Sequence, residues 1–330
     1  MPYHRTLATF VGFLLSTSSL LAITTAGDPT QYTSSSGSVF AGVAELSVTG
    51  VGTCSAALIG SNFLLTAGHC LASASPANVT VTFALAAGGS VSYSAANLFT
   101  DGPLVAGNFS NDIGLVELTT NVTGITPYNL GTSTVGQTIT LAGYGDVGQG
   151  TVNAGSYGTF HAGLNTLDGY WDGVTQTNSI NGTVYTLANE ASALAFDFDS
   201  ASGNGTLGGG AVTGGAPQNE AMICFGDSGG PAFAGNAFAG GPLTIIGVND
   251  FLSLPNPYDA SSNTPQCSNN EAAAGYAGYG DIGGDTNVAT HLLWIDSTIA
   301  AADAAPEPAT WALIGVGLGG LALRRRLRSR

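Results

Sequence analysis

Between Arg5 and Arg324 this chain of 330 residues contains no lysine and no arginine. All six arginines lie at its ends, as Arg5, Arg324, Arg325, Arg326, Arg328 and Arg330. Against them stand 21 aspartates and glutamates, for a formal net charge of -15. Over residues 27–305 the only side chains that can become cationic are His69, His161 and His291. Such a body holds no internal salt bridge to Lys or Arg. It cannot neutralise a phosphate backbone, which excludes nucleic acid as a partner. A protease that cuts after Lys or Arg cannot cleave it either. The 49 glycines, with abundant Ser, Thr, Asn and Ala, disfavour long helices and suit short strands joined by many turns.

The two ends read as separate modules. His4 and Arg5, the largely apolar Leu7–Leu21 and the small Thr24-Thr25-Ala26 predict a signal peptide over residues 1–26. The apolar run is short for a membrane span. Residues 27–38 are small and polar, a flexible lead-in or short propeptide. At the other end, residues 303–330 form a tail. Pro306-Glu307-Pro308 precedes an apolar segment over 309–323 and a basic end over 324–330. That segment, too, is short for a span unless its flanks extend it, and the arginines would stay on the cytoplasmic side. Any contact with a membrane is therefore expected only through this tail. The remaining residues, 39–302, suffice for one unit with a sizeable core.

Within that unit the pattern predicts strands. Residues 51–66 form two short runs that read as a hairpin, and Val79-Thr80-Val81-Thr82-Phe83 alternates. Ile113–Leu118, Thr138–Gly145 and Leu243–Val248 read likewise. Residues 146–221 are rich in Gly, Asn and Thr, as expected for loop insertions. Asp197 and Asp199 there suggest a calcium loop, but Ala201 breaks the EF-hand spacing and a solvated turn is preferred. Nothing calls for a cofactor or a metal. Asp285 or Thr286 is expected to cap a helix running to about Ala302, with Val288, Leu292, Ile295 and Ile299 on one face. His161 and His291 read as loop and helix-surface residues. Cys54, Cys70, Cys224 and Cys267 lack metal-type spacing. In an exported chain they imply two disulfides, with three pairings open.

The chemistry concentrates in Gly226-Asp227-Ser228-Gly229-Gly230-Pro231. Small neighbours leave the Ser228 hydroxyl accessible. The turn at Gly226 can aim successive N–H groups into one concavity suited to an oxyanion. Asp227 needs a partner if it is buried. A serine hydroxyl is a weak nucleophile, so a base and an acid are expected elsewhere. His69 in Leu65-Thr66-Ala67-Gly68-His69-Cys70 and Asp112 in Asn111-Asp112-Ile113-Gly114-Leu115 supply them. The order His69, Asp112, Ser228 excludes the subtilisin and hydrolase-elbow arrangements.

All three stretches resemble the chymotrypsin-like (trypsin-like) serine proteases. The likeness covers roughly residues 39–302, loosely over 146–221. It implies an all-β fold of two antiparallel six-stranded β-barrels with a C-terminal α-helix that carries Trp294-Ile295. It implies a triad of His69, Asp112 and Ser228, with the N–H groups of Gly226 and Ser228 as oxyanion hole. It implies the disulfides Cys54–Cys70 and Cys224–Cys267. It also implies a freed amino terminus that meets Asp227; the family's usual start is absent, and Val39-Phe40-Ala41-Gly42 is the nearest approach. The specificity pocket would draw on Met222 and Ile223 at its base. Asn249-Asp250-Phe251 stands where the family has Ser-Trp-Gly, and Asp285 lies near the far wall. An apolar floor favours apolar or small side chains at the cleaved position. The tail resembles the PEP-CTERM sorting signal of Gram-negative bacteria, which an exosortase-type membrane enzyme removes. The expectation is a secreted or cell-surface serine endopeptidase acting on proteins or peptides through an acyl-enzyme. The competing readings are a matrix or adhesion protein that retains the protease fold without catalysis, and an esterase on the same triad.

Overall fold

The computed structural model describes residues 23–25, 39–85, 88–103, 111–145, 148–149, 152–153, 158–171, 175–177, 184–186, 192–199, 207, 220–253 and 281–304. A first strand, β1 (Thr24–Thr25), lies outside the first barrel. Six strands close that barrel: β2 (Val43–Val48), β3 (Gly52–Leu58), β4 (Phe63–Thr66), β5 (Val79–Ala84), β6 (Ser90–Thr100) and β7 (Gly114–Leu118). The barrel order is β2-β3-β4-β7-β6-β5. The alternation in β5 does what it predicts. Val79, Val81 and Phe83 point inward and are buried, while Thr80 is exposed. The hairpin expected over 51–66 is β3 and β4, paired at Ala57 with Leu65.

The second half is an eight-stranded, mainly antiparallel sheet curled over its own core. Its strands include β8 (Thr138–Gly143), β9 (His161–Thr166), β10 (Gly169–Tyr170), β11 (Ala193–Asp197), β13 (Pro231–Ala234), β14 (Thr244–Ser253) and β15 (Ile282–Asn287). They run β9-β8-β13-β14-β15-β11-β10. Ile139, Leu141, Leu194, Phe196, Phe198, Met222 and Ile246 fill that core. A short strand β12 (Ala221–Met222) pairs with β1, Thr24 opposite Met222 and Thr25 opposite Ala221. Ile23 is fully buried in the same core.

The fold is all-β with one terminal helix, as expected; of the two six-stranded barrels expected, the first is closed, and among the described residues the second is an eight-stranded half-barrel. The start of that helix differs from expectation. Asp285 and Thr286 do not cap it; they lie in β15, held on both sides by β11 and β14. The ladder overrides the turn-forming glycines before them. Asn287 instead accepts from Ala289 N–H at 3.1 Å and opens a 3-10 turn. The helix α2 spans Leu292–Asp303, with Ile295 buried and Leu292, Trp294 and Ile299 packed against the first barrel's core. Among the described residues, no helix is long and apolar enough to cross a membrane. The segment 309–323 lies outside them.

Candidate active site

The site forms where the two halves meet. Strand β4 ends at Thr66 and leads into a four-residue helix, α1 (Gly68–Leu71), which carries His69. The disulfide Cys54–Cys70 pins that helix to β3. Asp112 precedes β7, the neighbour of β4, and is 1% exposed. Its two oxygens are both engaged by one residue. Oδ1 accepts the His69 main-chain N–H at 2.6 Å, and Oδ2 faces His69 Nδ1 at 2.7 Å. Burial alone would raise the Asp112 carboxyl, but the bonds and charge of His69 outweigh it, with help from Asp250, and hold it below the usual range. The His69 side chain keeps 38% of its surface exposed, so the ring can meet a substrate.

The Ser228 loop is tied to the opposite barrel. Ser55 N–H on β3 donates to the Ser228 main-chain oxygen at 2.8 Å. Ser55 Oγ donates to the Gly226 oxygen at 2.9 Å and accepts Tyr144 N–H at 2.8 Å. Gly229, at φ +84°, sits so close that a Cβ would overlap Thr66 Oγ1 and the Ser55 oxygen. Asp227 is fully buried. Its Oδ1 accepts Gly145 N–H and its Oδ2 accepts Cys224 N–H, each at 2.8 Å. A Cβ on Gly143 would overlap that carboxylate, which explains the glycine there. Among the described residues, the N–H groups of Gly226 and Ser228 donate to no protein acceptor. Gly226 has φ +94°, a conformation glycine allows without strain. No hydrogen bond joins Ser228 Oγ to His69 among the described residues; such bonds often tighten only when substrate binds.

The expected pocket residues divide into two groups. Met222 is buried in the second core, its sulfur against Gly283, and Ile223 is buried beside it. Asn249 exchanges main-chain bonds with the Ser228 loop: Gly229 N–H to its oxygen at 2.7 Å, and its N–H to Gly230 at 2.8 Å. Asp285 lies directly across β14–β15 from Asn249. Among the described residues, both Asp285 oxygens and Asn249 Oδ1 are buried without a hydrogen-bond partner. Burial pushes the Asp285 carboxyl up to about 8. Asp250 turns the other way. Its Oδ1 lies 3.7 Å from His69 Nδ1, and its Oδ2 accepts from Thr286 Oγ1 at 3.0 Å. Phe251 continues β14, opposite Gly284.

Other expectations meet a mixed outcome. Cys224 is disulfide-bonded, while Cys267, its implied partner, lies outside the described residues. Val39 packs against the first barrel, its oxygen accepting from Tyr128 Oη at 2.9 Å; Ile23 is the amino-terminal residue found beside Met222 and Cys224. His161 and His291 are not surface residues. His161 is buried in β9 opposite Gly143, and His291 Nδ1 pairs with Asp101 Oδ2 at 2.7 Å. Nor do Asp197 and Asp199 form a solvated turn, since both are buried at the end of β11. Asp197 Oδ2 accepts Leu207 N–H at 2.6 Å. Side chains close enough to share one ion occur twice among the described residues, as Cys54–His69–Cys70 and His69–Asp112–Asp250. The thiols of the first are spent in the disulfide, and the second is the acid–base contact itself.

Sequence reasoning passes over Ser55 and takes Thr286 only for a helix cap. Neither belongs to a motif, and only the meeting of distant strands gives them a role. Residues 29–183 match the family model Trypsin, and residues 304–326 match the PEP-CTERM protein-sorting motif. No curated protein matches the chain. The Trypsin match takes in the His69 and Asp112 stretches and ends before Ser228, whose main-chain oxygen lies 3.7 Å from the Sγ of Cys70, the residue after His69. Residues 29–183 are thus similar to the trypsin-like serine proteases, and residues 304–326 carry a PEP-CTERM protein-sorting motif of the kind borne by exported or cell-surface proteins of Gram-negative bacteria.

Proposed function

We propose that the chain is a secreted serine endopeptidase in which Ser228 is the nucleophile, His69 the general base and acid, and Asp112 the group that orients His69. One observation carries the reading: the double engagement of Asp112 by His69, at 2.6 and 2.7 Å. The bond at Nδ1 fixes the tautomer that leaves Nε2 free to accept a proton. Ser228 Oγ attacks the scissile carbonyl as its proton passes to His69. The oxyanion takes the N–H groups of Gly226 and Ser228, each worth roughly 3–4 kcal/mol in the transition state. His69 then protonates the leaving amine, and water, activated by His69 in turn, releases the acyl group.

The primary pocket is read as one for apolar or small side chains. Met222 supplies an apolar floor, and Asp285, pushed up to about 8, is largely uncharged at neutral pH. An amino-terminal leader would direct export, and an exosortase-type enzyme would process the tail. Steady-state kinetics of purified D112N and S228A on a peptide library test the catalytic assignment. Loss of the correct tautomer in D112N is expected to lower kcat by roughly 10⁴. Wild-type-like turnover in either variant excludes the triad.

A further inference from the structure

Two buried carboxyls meet behind His69. The Asp250 side chain is fully buried, and its carboxyl and that of Asp112 come within 4.8 Å of each other, both beside the His69 ring. Two ionised carboxylates cannot bond to each other, because neither offers a donor. A lysine or arginine commonly neutralises such a pair, and this chain has none between Arg5 and Arg324. The groups that face the pair are His69, Thr286 and a third acid, Asp285. His69 already serves Asp112. One proton must therefore be held by the two acids together.

The bonds indicate which acid holds it. Asp112 accepts two N–H groups from His69, at 2.6 and 2.7 Å, and both favour its ionised form. Among the described residues, Asp250 accepts only the Thr286 hydroxyl, at 3.0 Å on Oδ2, and its buried Oδ1 receives no donor. A carboxyl oxygen that carries the proton is itself a donor, so this oxygen is satisfied once it faces Asp112. Burial and the neighbouring Asp112 charge act in the same direction, raising the Asp250 carboxyl well above its ordinary value. Thr286 Oγ1 also lies 3.1 Å from the Asp112 main-chain oxygen, and so ties β15 to both acids.

We propose that Asp250 is a positioning residue that works as a neutral carboxylic acid, donating its O–H to Asp112 and holding that carboxylate ionised and aimed at His69. The proton stays on Asp250 throughout turnover. The positive charge that His69 gains when it accepts the Ser228 proton is matched by Asp112 alone. The effect on turnover rests on the hydrolytic reading above; the location of the proton does not.

The test combines two measurements on wild type, D250N, D250S and D250A. The first is the difference infrared spectrum of wild type against D250N at neutral pH. It is expected to show the C=O stretch of one protonated carboxyl in the wild type that D250N lacks. Its absence overturns the proposal, and this readout works even in a protein that cleaves nothing. The second is the pH profile of kcat/KM. D250N and D250S still offer Asp112 a donor and are expected to stay within about threefold of wild type, with the acid limb in place. D250A is expected to lose roughly ten- to hundredfold in kcat with little change in KM. Should D250A not fold, the comparison of D250N and D250S with wild type decides alone. An acid limb that moves to lower pH in D250N shows that a negative charge was removed, and overturns the proposal. So does a folded D250A that matches wild type. An inactive wild type that retains the infrared band removes the hydrolytic reading and leaves the proton where it is proposed.

Discussion

Ser55 on β3 gives its main-chain N–H to the main-chain oxygen of Ser228 at 2.8 Å, so the first barrel holds the Ser228 loop of the second half directly. The Ser55 hydroxyl adds a bridge from Tyr144 N–H to the Gly226 oxygen. S55A keeps the main-chain bond and strips both of these buried groups of their partner. The expected cost is about 1–3 kcal/mol in urea unfolding. A fall in kcat/KM should accompany it, because Gly226 is half of the proposed oxyanion site. An S55A variant equal to wild type in both measurements contradicts this role.

The buried acids set a pH dependence of stability. Asp285 is pushed up to about 8 by burial. Asp168 is pushed up to about 7, by burial first and then by the nearby Asp197 and Asp199. In the unfolded chain both titrate near 3.8. Between those values the folded state binds more protons than the unfolded one. Their stabilisation is therefore complete below about pH 4 and is lost as pH rises towards 8. Calorimetry is expected to give a Tm higher at pH 5 than at pH 8.5, by on the order of 5 °C. D285N should flatten the difference, and a Tm that rises with pH over this range counts against it.

The buried position of Ile23 bears on where the mature chain begins. Ile23 is fully buried, and Thr24 and Thr25 pair with β12. Removing residues 1–26 would withdraw this strand and leave a cavity, at a cost of about 2–5 kcal/mol for such an apolar side chain. With Ala22 attached, Ile23 also has φ +57°, the only positive value among the described non-glycine residues. For a β-branched residue that conformation costs about 1–3 kcal/mol. A chain cut after Ala22 has no such torsion. Intact-mass analysis of the exported protein is expected to place its first residue at Ile23. A start at Gly27 or Val39 refutes the prediction.

In the proposed pocket, specificity depends on the charge state of Asp285. At pH 7 substrates with small or apolar side chains at the cleaved position should exceed Lys and Arg substrates by roughly tenfold or more in kcat/KM. Above pH 8 the Asp285 carboxylate ionises, and the handicap of the basic substrates should shrink in wild type but not in D285N. A strong Arg preference at neutral pH would show that Asp285 rather than Met222 governs the pocket.

Much of this molecule was legible before its structure. The strand at 79–83 follows from alternation, because it buries one face, whereas 114–118 reads as a short apolar run and is buried on both faces. The motif stretches pointed to His69, Asp112 and Ser228, because their chemistry demands those residue types together, and the fold pairs His69 with Asp112. What stayed hidden depends on strands that meet from afar. Asp285 and Thr286 look like helix caps in sequence; β11 and β14 claim them for a sheet. Asp250 reads as a pocket residue, and only the fold turns its carboxyl towards His69. His291 reads as exposed because its partner, Asp101, is distant in sequence. Ser55 sits in no motif at all.

The central claim is that Ser228 is an activated nucleophile. Treating the processed protein with a fluorophosphonate and mapping the adduct by mass spectrometry tests it most directly. The account predicts one phosphonyl group per chain, on Ser228, with labelling lost in S228A and strongly slowed in H69A. A wild-type protein that is folded, correctly processed and unlabelled at Ser228 would contradict it.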